Sequence, residues 1–252
     1  MMSMPNSDPD LARPKARSYS GIPAHERTRM RREKLLEAAM DLFGDVGYAK
    51  TTMRNICVRA RLAERYFYES FASTTEVFDA VYQGEVQKLM QAVSDALATS
   101  PMKDRRFIEA GLRAFLQFMK EDPRRVQILL IDGVWMDEMK FRDGNSDLLG
   151  YRRFIQSLTR GFHPDLNPDI DVEMAASGLI GLIIHTVIDW SRRDFAADIE
   201  AVLQHTMYAW GGLGYWAKNK GTLASSAPAT KHERVERVLK AFKDDADGGV
   251  QG

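Results

Sequence analysis

Two short segments carrying polar, charged and aromatic groups lie close together in this chain: TTMRNICVRA, residues 51–60, and ERYFYESF, residues 64–71. In the second, Phe67 and Phe71 are four residues apart and fall on one helical face, which turns Arg65, Tyr66 and Glu69 to the other. An outward arginine has a definite use. Its fork of N–H donors matches the N7 and O6 acceptors of a guanine edge, a contact worth roughly 1–3 kcal/mol of discrimination. Tyr66 suits a thymine methyl or a sugar, while Tyr68 and Thr52 offer hydroxyls that position a protein on phosphates without reading bases. Arg54 adds a cation to the first segment, and its alternative is an ordinary solvated arginine. The chain has no Walker loop, no Rossmann glycine fingerprint, no His-Glu-x-x-His helix and no Gly-x-Ser-x-Gly elbow. Acids such as Asp132 and Asp189 have no evident partner, so we expect no enzyme, no catalytic residue, no metal and no cofactor.

These side chains act only if helices present them. A helix is predicted from near Arg27, because Leu35, Leu36, Ala39, Met40, Leu42 and Phe43 recur at helical steps; Gly44 and Gly47 end it, with Gly47 a candidate left-handed cap. Thr51 or Thr52 then caps a short helix whose inward face is Met53, Ile56, Cys57 and Ala60. After a break at Arg61-Leu62-Ala63 comes the ERYFYESF helix, and Ser73 or Thr74 caps a long helix to about Thr99. Two short helices joined by a tight break and preceded by a longer basic one form a helix-turn-helix arrangement. Further helices are predicted over Asp104–Glu121, Val126–Met136, Leu148–Phe162, Asp171 to about Arg193 and Ala197–Lys218. No segment alternates with period two, so no sheet is expected. The predicted class is all-α, an N-terminal three-helix DNA-binding head followed by a larger helical ligand-binding and dimerisation domain. The boundaries are 1–24 for a disordered basic arm, 25–73 for the head, 74–220 for the helical domain, and 221–252 for linker and tail.

The formal net charge is zero, yet thirteen basic residues stand against six acidic ones between Arg13 and Arg65. A basic segment on a balanced chain is the electrostatic footprint of phosphate contact. Arg13 and Arg17 in the arm either reach the minor groove, add non-specific affinity, or make no contact at all. Cys57 is the only cysteine, which excludes an intrachain disulfide and suits a cytoplasmic protein; it reads as structural rather than redox-active. The N-terminus is polar and proline-rich, unlike a signal peptide, and the apolar stretch Gly178–Val187 is too short to span a bilayer, so no membrane is expected.

The sequence resembles the tetracycline-repressor (TetR) family of regulators. The run Leu35-Leu36-Glu37-Ala38-Ala39, then Leu42-Phe43, Gly47-Tyr48, Thr51-Thr52, Ile56, Ala60, Leu62, Tyr68, Phe71 and Glu76 carries the likeness over about residues 27–82. It implies that Thr52, Arg54, Arg65, Tyr66, Tyr68 and Thr74 face double-stranded DNA. The chain departs from the pattern at Arg61, where glycine is common, at Ala63, where a serine or threonine cap is common, and at Arg65-Tyr66, where a glycine-threonine pair is frequent. Thr74 replaces a common lysine, leaving its hydroxyl and the backbone N–H groups for phosphate.

In the second half, pliable apolar residues suit a pocket for a small hydrophobic effector: Phe115, Phe118, Met119, Trp135, Met139, Tyr151 and Phe154. At each single position ordinary core packing is the competing reading. The last two helices suggest a homodimer interface of Leu179, Leu182, Ile183, Val187, Met207 and Trp210, building a four-helix bundle. His185 reads first as a hydrogen-bonded core residue, with sensing of ligand or pH as the alternative. The resemblance implies repression of a partly palindromic operator, relieved by ligand. The alternative is a helical protein-interaction module that has lost sequence-specific DNA binding, favoured by the missing cap at Ala63 and the acids Glu64 and Glu69.

Overall fold

The computed structural model describes residues 23–100, 105–136 and 171–218, all in helices and the turns between them, with no strand among the described residues. The expected arm, the Leu148–Phe162 helix, the linker and tail, and the pocket candidates Met139, Tyr151 and Phe154 lie outside them. The elements are α1 (Ala24–Val46), a 3-10 turn (Tyr48–Lys50), α2 (Met53–Ala60), α3 (Glu64–Tyr68), α4 (Thr74–Ala98), α5 (Arg105–Glu121) and a π-helical segment (Val126–Asp132). Two helices complete the order, α6 (Val172–Arg192) and α7 (Ile199–Lys218).

Local chemistry sets the ends. Pro23 opens α1 by accepting the Arg27 N–H, so the helix starts earlier than its apolar periodicity suggests. Its exposed first turns are laced by Arg29 to Glu26 and Glu33. Gly47 does take a positive φ of 82°, but with an extended ψ of 166° rather than the left-handed helical value. At α4, Ser73 Oγ accepts the Glu76 N–H at 3.2 Å while the Glu76 carboxylate accepts the Ala72 N–H at 2.6 Å, a reciprocal cap.

The head closes around Leu35, Ala38, Ala39 and Phe43 of α1, Ile56 and Cys57 of α2, and Phe67 and Phe71. Its core is incomplete without α4, which supplies Val77, Phe78 and Val81. Phe78 meets Phe43 edge-on at 5.2 Å between centroids and Tyr48 at 5.1 Å. The boundary expected after residue 73 therefore falls at the start of a helix that belongs to two cores, because α4 also packs along α5.

Val126–Asp132 winds as a π-helix instead of the α-helix that periodicity suggests. Gly133 N–H bonds Ile128 O, five residues back, and a Cβ at Gly133 would stand 2.4 Å from Tyr82 and 2.8 Å from that carbonyl. The wide turn buries Val126, Ile128, Leu129 and Leu130 and packs against α1, α4 and α6. Just before it, Arg125 pairs with Glu85 at 3.0 Å, donates to Phe118 O at 2.7 Å and lies 3.7 Å from the Phe118 ring. Met174–Arg192 is long and apolar enough to cross a membrane by length and composition, longer than the stretch expected from sequence. It packs on α7, the π-helical segment and α5, with 22% of its apolar window buried in the protomer.

Glu85 is 6% exposed and Arg125 15%; Lys88 also reaches Glu85 at 2.6 Å from the solvent side, but removing Glu85 leaves Arg125 largely buried with the Phe118 carbonyl and the more distant Glu121. We expect Glu85→Ala to cost about 3–5 kcal/mol in urea unfolding, and the apolar double replacement Glu85→Leu with Arg125→Met to cost far less. Equal costs would mean that the pair is not an isolated buried unit.

Candidate nucleic-acid interface

Helix α2 presents the face its sequence requires: Ile56 and Cys57 are buried, Met53 and Ala60 half-buried, and Arg54, Asn55 and Val58 exposed. Thr52 is the cap, its hydroxyl accepting the Asn55 N–H at 3.2 Å, whereas Thr51 is buried and donates to Gly47 O at 2.9 Å. Thr52 remains exposed, so its O–H is free to meet a phosphate while its lone pair caps the helix. Burial pushes the Cys57 thiol up, and its Sγ points to Met53 Sδ, which suits a structural thiol.

The turn is made by Arg61 in the left-handed region, at φ 55° and ψ 44°. A glycine would adopt this without steric cost; here the Leu62 N–H bonds Cys57 O at 3.0 Å and closes the helix end. Ala63 offers no side-chain cap to α3, as the sequence implies, and Glu64 stands in its first turn. Phe67 is buried and anchors α3, with Phe71 buried beyond its end. Arg65 and Tyr68 are exposed, Tyr68 to 62%, and Tyr66 is half-buried. Thr74 occupies the first turn of α4, half-buried, and Ser73 before it is the residue that caps. Among the described residues no side chain pairs with Arg54.

Acids in the head are held by arginines. Asp41 takes Arg59 at 2.9 Å and also Arg124, and Glu69 takes Arg31 at 3.2 Å. Arg124 is fixed in turn by Asp122, whose carboxyl the Arg124 hydrogen bond holds below the usual carboxylate range. The carboxylate's stabilising contribution is therefore complete above its ordinary pKa and is lost only as acid protonates it. Gly44 allows this approach, since a Cβ there would lie 2.4 Å from Arg124 Cβ. Asp132 accepts the Tyr48 N–H at 2.8 Å, and Tyr48 Oη meets Thr75 Oγ1 at 2.8 Å. The π-helical segment thus grips the end of α1 from outside the head, contacts between residues more than eighty apart that no sequence pattern announces.

The other candidates separate. Phe115, Phe118 and Met119 share α5, where Met119 is fully buried, Phe118 lies under Arg125 and Phe115 is half-buried; Trp135 is 52% exposed. The interface residues need correction. Leu179, Val187 and Met207 are buried in the protomer's own core, so they are not a free surface. Ile183 is half-buried, Leu182 is 36% exposed, and the side chain of Trp210 lies outside the described residues. The outward face of α6 carries Met174, Gly178, Gly181, Leu182 and His185; that of α7 carries His205, Tyr208, Gly211 and Gly212. His185 is thus exposed in the protomer, not a core histidine.

Because the Thr52 hydroxyl carries the α2 cap, Thr52→Ala is expected to cost about 0.5–2 kcal/mol of stability and Thr52→Ser very little. Thermal unfolding of both variants measures this, and an unchanged midpoint for Thr52→Ala would remove the capping role.

Residues 35–81 match the family described as bacterial regulatory proteins, tetR family, the span from the middle of α1 into α4. The chain is 27% identical over 191 residues to the HTH-type transcriptional activator FasR of Mycolicibacterium smegmatis, covering 73% of this chain and 84% of that one. In fold it is similar to the fatty acid degradation regulator FadR from Bacillus halodurans, with a TM-score of 0.59, 16% identity, and 73% and 96% of the two chains covered. It is likewise similar to the ketosteroid transcriptional regulator KstR2 of Mycobacterium tuberculosis, with a TM-score of 0.55, 19% identity, and 72% and 94% covered. The family consists of regulators, not enzymes. Residues 35–81 thus carry the tetR-family helix-turn-helix head, and joined to a helical body it makes the chain similar in sequence and fold to DNA-binding transcriptional regulators of that family.

Proposed function

We propose that the protein is a homodimer that binds a partly palindromic duplex site through α2 and α3 and is released by a small hydrophobic molecule taken up in the helical body. One observation carries this reading: the exposed side of α2 and α3 holds Thr52, Arg54, Arg65 and Tyr68, while Asp41 and Glu69 are each engaged by arginines. The result is a surface of donors and cations facing where phosphates would lie. The Glu69 pairing removes one of the features that favoured an interaction module without DNA binding; the uncapped Ala63 and the exposed Glu64 stand as the sequence has them. A cytoplasmic location goes with this reading.

Pairing of two copies is supported by glycines. Gly178, Gly181, Gly211 and Gly212 sit in helices with nothing within 4 Å of a Cβ built on them. Each costs its helix roughly 0.5–1 kcal/mol relative to alanine, and among the described residues nothing uses the space. Close approach by α6 and α7 of a second copy would use it, covering Met174, Leu182 and Tyr208. Two heads held by that bundle would meet half-sites about one DNA turn apart.

The effector is proposed to be acyl- or steroid-like. The apolar residues of α5 support this, as does the likeness in fold to FadR, a fatty acid degradation regulator, and KstR2, a ketosteroid transcriptional regulator. A molecule lodged between the body helices would act by stabilising one placement of the π-helical segment over another. Arg124 on Asp41 and Asp132 on Tyr48 would pass the change to α1, with α4 as lever. Repression relieved by ligand is the first reading; activation is the second, favoured by the description of FasR as an activator.

Selection of duplexes from a random pool by the purified full-length protein tests the proposal. It should yield one partly palindromic site whose binding weakens steeply with salt; recovery of no site at low salt would overturn it. Leu182→Glu is expected to give monomers in sedimentation and to lower affinity for the selected site at least about tenfold, since linked half-sites bind with a high effective concentration. A dimer that survives this change would move the interface elsewhere.

A further inference from the structure

The side chain most tightly engaged at the reading surface is Tyr66. Arg31 Cζ of α1 lies 4.4 Å from its ring centroid and Arg65 Cζ lies 4.6 Å from it. Arg65 Nη2 also donates to Tyr66 Oη at 2.7 Å. A guanidinium only donates, so the phenol oxygen accepts, and its own O–H hydrogen points elsewhere. Among the described residues no acceptor takes that hydrogen. Arg65 and Tyr66 therefore present neighbouring donors.

Two carboxylates flank the reading face, Glu64 in the first turn of α3 and Glu69 just past its end, and Glu69 is the one an arginine engages. Arg31 Nη2 donates to Glu69 Oε2 at 3.2 Å and to Thr28 Oγ1 at 3.0 Å. A free Glu69 carboxylate would accept from the amino group of cytosine. Paired with Arg31 through Oε2, it is a weaker competitor for that role. Arg31 is 23% exposed, and its Nε is buried without an acceptor among the described residues. An orphaned N–H is a local penalty, so this placement is not the one that best satisfies Arg31 itself.

We infer that Arg31, outside the reading helix, is a positioning residue for base specificity. It fixes Tyr66 and engages Glu69, so that Arg65 and the Tyr66 hydroxyl read acceptor edges, a guanine and an acceptor-bearing neighbour. This rests on the proposal that α3 reads DNA. Tyr66 is then a base donor through its hydroxyl, beyond the methyl or sugar contact its type suggests. The Tyr66 contact also keeps the Arg65 guanidinium firmly protonated.

The test is duplex selection from a random pool with full-length protein in five forms: wild type, Arg31→Leu, Tyr66→Phe, Glu69→Gln and the double variant Arg31→Leu with Glu69→Gln. Circular dichroism melting and binding to non-specific DNA are measured beside it. Wild type should select guanine followed or preceded by an acceptor-bearing base in each half-site. Tyr66→Phe keeps the ring and should lose preference only at the neighbouring base. Arg31→Leu should lose discrimination at both positions by at least about tenfold, with melting and non-specific affinity nearly unchanged. Combining it with Glu69→Gln should restore part of the guanine preference, an effect that a merely structural Arg31 would not produce. If wild type selects a site and Arg31→Leu and Tyr66→Phe select the same one with equal discrimination, the inference fails while the DNA reading stands. If wild type selects no site, both fall together.

Discussion

The rest of the molecule depends on the place of Phe78 between α1 and the body. Its ring sits edge-on to Phe43 at 5.2 Å and meets Tyr48 at 5.1 Å, yet it belongs to the helix that packs along α5. Burying a phenylalanine contributes roughly 1.5–3 kcal/mol, and here that gain exists only if head and body share α4. The head therefore cannot shift as a separate bead on a linker. Any change in the body that tilts α4 must move α2 and α3 with it, because Val77, Phe78 and Val81 are part of the same core.

Charge reinforces this constraint at a second point. Asp41 receives Arg59 from inside the head and Arg124 from outside it, and Arg124 is itself clamped by Asp122. Exposed ion pairs alone contribute little. This set is different because its geometry is multiply fixed, with Gly44 leaving room for Arg124 and Asp132 taking the Tyr48 N–H nearby. A chain of zero net charge can in this way carry a cationic face. Asp41 and Glu69 of the head are engaged by arginines, while Thr52, Arg54, Arg65 and Tyr68 look outward.

Whatever was decided within a few residues was legible in the sequence. The inward set Met53, Ile56, Cys57 and Ala60 and the uncapped start of α3 follow from neighbouring residues, and so do the cap pairs Thr51 or Thr52 and Ser73 or Thr74, of which the structure uses Thr52 and Ser73. So did the family, because its pattern is a local spacing. Three things were not. Helix α6 is apolar almost all round, so periodicity could not say that Leu179 and Val187 turn inward while Met174, Leu182 and His185 turn out. The π turn at Val126–Asp132 is fixed by Tyr82 lying against Gly133, a contact across the fold. The Arg31 contacts with Tyr66 and Glu69 join residues more than thirty apart, and arginines on a basic helix look alike until their partners are seen.

The central claim is that DNA contact at α3 and the packing of the π-helical segment are parts of one coupled unit. Hydrogen exchange of the full-length protein with and without its selected duplex tests this most directly. Coupling predicts slowed exchange in α3 and also at the Tyr48 amide and through Val126–Asp132, which touch no DNA. Slowing confined to α2 and α3, with the π-helical segment unchanged, would contradict it.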